Sequence, residues 1–375
     1  MTYFDNAAST FLTDSVIKEM TKVMTIKTTN PSSIHSYGRK SNQLLRKAKE
    51  KIAHLLKVES KNLILTSGAT ESNNTAIKGY VLANENKGKH LITTSVEHPS
   101  VIEVMSYLEK TFNFEVTYLS PIDGTISVKQ VKDALRDDTI LVSIMHTNNE
   151  TGHQFPIKAI GELLKNHQAV FHVDAVQAIG KIPLYPKELG IDLMSISAHK
   201  FHGPTGVGIL YSKPLHMVKM LHGGEQENKQ RAGTENLIGL TGMAQALEDS
   251  LLHHKENYHY IKTLRELFLK HLEGVSYYLN SPIDGFAYIV NIGFPNVNNS
   301  ILLTQLDLEG IAVSTGSACT AGNIKPSHVL EAFYGKESKK IEESIRISFS
   351  KLNSPDEIIQ LTTKLKKIIG KKNGI

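Results

Sequence analysis

The chain has 375 residues, 42 Lys plus Arg against 37 Asp plus Glu, 40% hydrophobic residues and a single cysteine. That length and apolar content exclude a disordered chain and allow two or three folded units with substantial cores. One thiol cannot close an internal disulfide or build a Cys-based zinc or iron-sulfur site, and the net charge of +5 is spread through mixed runs such as Arg39 to Lys51, as on a solvated surface rather than a nucleic-acid face.

The first residues, Met1 to Thr10, hold no basic stretch leading into an apolar one, and nowhere do about 18 apolar residues run together. A cytoplasmic chain without membrane contact is expected. From about residue 60 to 212, short β-rich runs alternate with longer amphipathic ones, the pattern of a parallel sheet with crossover helices. The spacing predicts strands over Asn62 to Ser67, His90 to Ser95, Glu115 to Leu119, Ile140 to His146, Val170 to Asp174, Leu193 to Ser197 and Val207 to Tyr211. Several are apolar on both faces, as buried parallel strands are. Between them, helical spacing predicts Ser72 to Ala83, Ser100 to Lys110, Ser127 to Leu135 and Ile157 to Asn166.

A Gly-rich polar loop, Gly223 to Glu235, then leads into a helical stretch from about Ile238 to Glu273. The remainder reads as a smaller α+β unit. Its strands are expected near Tyr288 to Ile292 and Ser344 to Ser350, its helices near Ser300 to Leu308, Ser327 to Phe333 and Asp356 to Ile369. The expected architecture is α/β: a large domain, residues 15–255, with a mostly parallel seven-stranded sheet flanked by helices, and a smaller α+β domain made of residues 1–14 and 256–375.

Open α/β sheets bind ligands at the carboxyl ends of their strands. Five such ends here are polar in ways a core would not choose. The first is Ser67-Gly68-Ala69-Thr70-Glu71, where free N–H groups at a helix start would hold a phosphate, although the same residues are ordinary caps. The next are Glu97-His98-Pro99-Ser100 and His146-Thr147-Asn148-Asn149-Glu150. Asp174 closes an apolar strand, and a carboxylate there is costly to bury unless it meets a positive charge. The last end, Ser197-Ala198-His199-Lys200, brings an amine to the neighbouring strand in sequence. Asp174 and Lys200 together supply a carboxylate for a protonated ring nitrogen and an amine for a Schiff base, the two groups that a pyridoxal phosphate enzyme needs.

The motifs Ser67-Gly-Ala-Thr-Glu-Ser-Asn-Asn74, Glu97-His98, Asn148-Asn149-Glu150, His172-Val-Asp-Ala175 with Gln177, Ser197-Ala-His-Lys200 and Arg231-Ala-Gly-Thr234, in this order, resemble the cysteine desulfurases. These belong to the class V aminotransferase group of fold-type I pyridoxal phosphate enzymes. Tyr3 to Thr10 and Asn30 to His35 are also similar to that family, so the resemblance spans nearly the whole chain. It implies that Lys200 binds the cofactor covalently and later moves the substrate proton, that Asp174 keeps the pyridine nitrogen protonated, and that His98 stacks on the ring. It also implies that Gln177 hydrogen-bonds the ring hydroxyl and that Ala69, Thr70, Ser197 and His199 hold the phosphate, joined by Thr234 from the neighbouring subunit of a homodimer. Asn149 and Arg346 are the implied binders of the substrate carboxylate, which a guanidinium can meet with two parallel hydrogen bonds. Read alone, Arg346 could instead lie on a polar outward strand face. The His-x-x-His spacing of His199 and His202 has no completing carboxylate or Cys nearby, so no metal is expected and His202 is read as structural.

Cys319 lies in Val313-Ser-Thr-Gly-Ser-Ala-Cys-Thr-Ala-Gly322, a run of small and hydroxyl residues where a thiol would be accessible. With Pro326-Ser-His328 it resembles the longer active-site loop of one group of cysteine desulfurases, here about residues 314–326. The resemblance implies that Cys319 attacks the sulfur of L-cysteine, releases alanine, and holds a persulfide for a sulfur-acceptor protein. With the chain ending at Ile375, tRNA thiolation enzymes and iron-sulfur scaffolds stand as comparable acceptors. An aminotransferase or selenocysteine lyase on the same fold shares the cofactor motifs, and a silent sulfur-transfer adaptor is the reading from another class. The intact Lys200, Asp174 and His98 speak against the adaptor.

Overall fold

The computed structural model describes residues 1–122, 124–316 and 326–372. Its largest sheet has seven strands in the order Leu63–Thr66, Gly208–Ser212, Leu193–Ser197, Val170–Asp174, Thr139–Ser143, His90–Thr94, Glu115–Leu119. Only Gly208–Ser212 runs antiparallel to its neighbours, so the other six strands point their carboxyl ends to the same edge. Gly208 permits that close insertion. A Cβ there would lie 2.6 Å from the Ile196 carbonyl oxygen and 2.7 Å from the Gly68 Cα.

Successive strand side chains face opposite sides, which explains why strands apolar throughout need cover on both. Ile64, Leu91, Leu141, Val170, Leu193 and Leu210 pack with helices Ala69–Ala83 and Pro99–Phe112. Leu63, Leu65, Phe171, Val173, Ile196 and Ile209 belong to the cluster on the other side, with helices Asp14–Thr25, Ser36–Leu55, Ile157–Leu164 and Leu237–Leu252. The expected strand over Ile140 to His146 is shorter, Thr139–Ser143. Its hydrogen bonding nevertheless continues, from Ile144 N to His172 O (3.1 Å) and from His146 N to Asp174 O (2.9 Å).

Two helices near the N-terminus, Asp14–Thr25 and Ser36–Leu55, were not among the expected elements. The second hides Leu45, Ala48 and Ile52 beneath the charged run that marked it as surface. The expected helical stretch from Ile238 to Glu273 is two helices, Leu237–Leu252 and His254–His271, broken at His253. The first packs on the large sheet, and the second, through Ile261, Leu264 and Phe268, joins a separate apolar cluster. That cluster surrounds a small antiparallel sheet of Ser344–Ser348, Ile289–Gly293 and Tyr278–Leu279, together with helices Asn299–Leu308 and Pro355–Lys372. The N-terminal Thr2–Tyr3 pairs in parallel with Ile311–Ala312, and Phe4 lies in the same cluster. Val329, by contrast, packs with the first cluster.

The large sheet carries a polar stripe through its centre. His172 is fully buried and bridges its two neighbouring strands, 2.8 Å from Ser143 Oγ and 3.0 Å from Ser195 Oγ. Burial holds its imidazole down to about 4, against the weak pull of Asp174, and burial holds His146 and His202 down to about 4 as well. Such groups fold neutral, whereas the unfolded chain takes up protons below about 6.5. Their contribution is complete above that pH and is lost as pH falls toward 4. His172 alone accounts for about 3 kcal/mol, at ~1.4 kcal/mol per pH unit between those two values. Glu97, pushed up to about 8 by burial, and Glu150, raised in the same sense, work in the opposite direction as pH falls, but they are two groups against five histidines held down to about 4, His153 and His199 included. The thermal midpoint is therefore expected to fall steeply between pH 6.5 and 4, and a flat profile over that range would contradict this account.

Candidate active site

The carboxyl edge of the large sheet gathers the candidate residues. His98 follows strand His90–Thr94 and caps helix Pro99–Phe112, its Nδ1 accepting from Ser100 N at 3.1 Å and lying 2.8 Å from Ser100 Oγ. Asp174 is the last residue of its strand. Among the described residues, its oxygens meet only neutral donors, Asn73 Nδ2 (2.8 Å) and Val176 N (3.0 Å). Asn73 Nδ2 also reaches Ser100 Oγ at 2.9 Å, so Asp174, Asn73, Ser100 and His98 form one hydrogen-bonded chain. Burial lowers His98 below its ordinary value, Asp174 draws it back up, and Lys200 and His328 lower it further. Its imidazole is neutral and able to accept a proton.

Lys200 ends the short turn Ala198–Lys200 that follows strand Leu193–Ser197. Its Nζ donates to the carbonyls of Ala7 (2.7 Å) and Ala8 (2.8 Å). Burial and the charge of Arg346 bring this amine down to about 8, against the pull of Asp5 and Asp174. An amine in that range is available as a nucleophile near neutrality. Gln177 donates from Nε2 to the same Ala7 carbonyl (2.8 Å) and accepts from Lys181 Nζ (3.1 Å). Lys200 and Lys181 border a cavity of about 20 Å³, space for one water.

Ala69 and Thr70 open helix Ala69–Ala83, whose first N–H groups have no partner within the helix. Ser197 is buried at the end of its strand, and His199, held down to about 4 by burial and then by Lys200 and Lys181, contacts Ser9 Oγ at 3.2 Å. Thr234 is exposed. Its loop is tied to the same helix start by Arg231, whose Nε donates to Glu71 Oε1 (2.8 Å) and NH2 to Glu71 Oε2 (3.3 Å). A groove of about 420 Å³ runs from Thr70 and His98 along Asn74, Ser100 and Tyr107, within the size range of small-molecule sites.

Arg346 is 3% exposed in the middle of strand Ser344–Ser348, so its side chain is not on an outward face. NH1 donates to the Asn149 carbonyl (2.9 Å) and NH2 to Asp5 Oδ1 (2.7 Å), while Nε is buried without a partner. Cys319 lies outside the described residues. His202 Nδ1 donates to the Phe11 carbonyl, 2.8 Å away.

The reading of the sequence missed Asp5, the Ala7 and Ala8 carbonyls, Asn73 and Lys181. Asp5 to Ala8 fall in a segment already noted as family-like, and Lys181 interrupts the otherwise apolar Ala178-Ile179-Gly180-Lys181-Ile182-Pro183. Those were the available signals. Together these groups fit a phosphorylated pyridine aldehyde. Asp174 lacks a cationic partner among the described residues, Asn73 Oδ1 is buried without a hydrogen bond, the helix start has free N–H groups, and Lys200 offers an amine.

Residues 2–361 match the family described as aminotransferase class-V. The chain is 43% identical over its whole length to "Cysteine desulfurase IscS" of Dictyoglomus turgidum, covering 95% of that protein. It is 42% identical to "Cysteine desulfurase IscS" of Methanosarcina thermophila, over 98% of this chain and 92% of the other. A solved structure titled "NIFS-LIKE PROTEIN" superimposes with a TM-score of 0.92 at 35% identity, over 98% of this chain and 99% of that one. With this agreement in sequence and fold, and with an edge of the sheet furnished for the cofactor, the chain belongs to the class V aminotransferase family, as a pyridoxal phosphate-dependent cysteine desulfurase.

Proposed function

We propose that Cys319 receives the sulfur of L-cysteine as a persulfide, and that the residues at the carboxyl edge of the sheet hold cofactor and substrate for that step. The observation that carries this reading is the convergence of Lys200, Asp174 and Arg346 on one edge, in a chain with a single thiol. Pyridoxal phosphate, when bound, supplies an electron sink for the substrate carbons next to the amine. Ala69, Thr70, Ser197 and His199 hold the phosphate, and Thr234 reaches it from the second subunit of a homodimer. Asp174 answers a protonated ring nitrogen, His98 faces the ring, and Gln177 hydrogen-bonds the ring hydroxyl. Lys200 holds the cofactor through its amine and, once free, moves the substrate proton.

Asn149 and Arg346 bind the substrate carboxylate, for which the unused Nε–H of Arg346 is suited. The Cys319 thiolate then attacks the substrate sulfur. An S–S bond forms as the substrate C–S bond breaks, the electron pair stays on carbon, and a proton completes alanine. A solved relative at 34% identity and a TM-score of 0.82, covering 93% of this chain and 99% of its own, is titled "SspA in complex with cysteine", which supports cysteine as the substrate. We further propose residues 15–255 as the cofactor-binding domain, with 1–14 and 256–375 as the smaller one. The enzyme works in the cytoplasm and passes sulfur to a tRNA thiolation enzyme, an iron-sulfur scaffold, or both.

Three measurements test this reading. Cys319→Ala should retain the visible cofactor absorbance yet lose alanine and sulfide formation from cysteine; sustained sulfur release would sink the persulfide role. Arg346→Ala should raise the KM for cysteine by ~10-fold or more, the scale of a lost charged hydrogen bond of about 1.5–3 kcal/mol. Because Lys200 reacts as the free amine, cofactor uptake by the apoenzyme should speed up about tenfold per pH unit below 8 and level off above it. A rate independent of pH from 6 to 8 would remove Lys200 from that role.

A further inference from the structure

Lys181 is buried beside Lys200 and Gln177, and no step of the proposed reaction uses it. It is 7% exposed, and among the described residues its only side-chain hydrogen bond is the one its Nζ donates to Gln177 Oε1 at 3.1 Å. The titratable groups around it are Lys200, Arg346, His199, His202, Tyr288 and Lys351, all of them cationic or neutral, and among the described residues no carboxylate pairs with it. Gln177, 4% exposed, is held at its other end by the Ala7 carbonyl, which accepts from its Nε2 at 2.8 Å and from Lys200 Nζ at 2.7 Å. A carbonyl can only accept and an ammonium can only donate, so the two partners together leave the amide one orientation, oxygen toward Lys181 and nitrogen toward Ala7. Nε2 keeps a second N–H, which has no partner among the described residues. Burial, then the charges of Lys200 and Arg346, bring Lys181 to about 7, and an anionic cofactor nearby favours its charged form.

We infer that Lys181 is a positioning residue for the cofactor, its Nζ anchoring the Gln177 amide by the oxygen so that the amide presents an N–H to the ring hydroxyl. The inference rests on the reading of Gln177 as the partner of that hydroxyl. Ala7 secures one end of the amide and Lys181 the other. Without Lys181 the buried Oε1 has no donor, and an acceptor left unpaired in a dry interior drives the side chain out of this position. A cation on the oxygen also strengthens the N–H donor across the amide. That N–H stabilises the ring oxygen as an anion, so the proton that the oxygen shares with the Lys200 nitrogen leaves at a lower pH. A role confined to packing predicts something else: a less stable protein in which the cofactor absorbance keeps its pH dependence.

The experiment uses holoenzyme preparations of wild type, Lys181→Met, Lys181→Leu, Lys181→Arg, Gln177→Ala and the Lys181→Met/Gln177→Ala double variant. Each is titrated with acid and base without substrate, and the pH midpoint of the change in cofactor absorbance is read beside the thermal midpoint. Gln177→Ala should raise the absorbance midpoint by about one pH unit, the scale of one hydrogen bond to a charged group. Lys181→Met keeps the length of the side chain but not the donor, and should raise the midpoint by at least about half as much. The double variant should match Gln177→Ala, since Lys181 acts through Gln177. Lys181→Arg keeps a donor and should stay close to wild type. An absorbance midpoint unmoved in Lys181→Met overturns the inference, even where the thermal midpoint falls. So does a double variant whose shift is the sum of the two single shifts, or a midpoint in Lys181→Arg as high as in Lys181→Met. If Lys181→Met does not fold, Lys181→Leu, likewise without a donor, decides by the same criterion. Gln177→Ala separates the two layers: an unmoved midpoint there refutes the reading of Gln177 itself and the inference with it, whereas a raised midpoint there beside unmoved ones in Lys181→Met and Lys181→Leu refutes only the role of Lys181.

Discussion

Buried positive charge at the seam between the two apolar clusters sets the terms for the rest of the molecule. Lys181 and Arg346 are buried with Lys200 half-buried beside them, and taking charges out of water carries a cost that only close partners can offset. The partners come from a segment remote in sequence. Asp5 pairs with Arg346, the Ala7 and Ala8 carbonyls take Lys200, and Gln177 joins the Ala7 carbonyl to Lys181. The first ten residues are thus held on both sides, with Thr2–Tyr3 paired to Ile311–Ala312 and Thr10 N bonded to the His199 carbonyl. Removing one member of such a buried pair costs about 3–5 kcal/mol, because the other charge stays behind without a partner.

The same cluster explains the chemistry. Three basic groups face two carboxylates, Asp5 and Asp174, so the edge carries an excess of positive charge that suits an anionic cofactor and an amino acid carboxylate. Burial, and then the charges of Lys200 and Arg346 on Lys181 and of Arg346 on Lys200, bring Lys181 to about 7 and Lys200 to about 8, so the amines are partly neutral at working pH. Lys181 also lies over the rings of Phe286 and Tyr288, 5.8 and 5.5 Å from their centroids, faces that favour a cation when it is charged. On the opposite side, hydrogen bonds running from Asp174 through Asn73 and Ser100 to His98 keep a neutral imidazole oriented. Strand ends and the helix starts and turns that follow them position these groups.

Much of the fold was legible. Val170–Asp174 and Leu193–Ser197 read as strands because short, mostly apolar runs between polar turns have few other ways to bury themselves. The helix Ser36–Leu55 was not, because its buried stripe of Leu45, Ala48 and Ile52 is narrow beside its many charges. Lys200, Asp174 and His98 stood out because polar residues at strand ends are costly in a core. Arg346 was ambiguous in sequence: alternation along Ser344–Ser348 normally means one wet face, and here all five residues are buried.

The sequence by itself determined the period of most elements, the single thiol and the order of the family-like motifs, all of which depend on near neighbours along the chain. Only the tertiary structure decided which groups neutralise one another. That Ala7 meets Lys200, Asp5 meets Arg346, and Glu150 meets both Gly316 and Ser327 depends on how two sheets and their helices pack, across separations of more than 150 residues in every case, and no local pattern encodes the energy of such distant contacts. Electrostatic cost in a dry interior is a property of the assembled surroundings, so the lowered Lys200 amine and the raised Glu150 carboxyl came into view only with the fold.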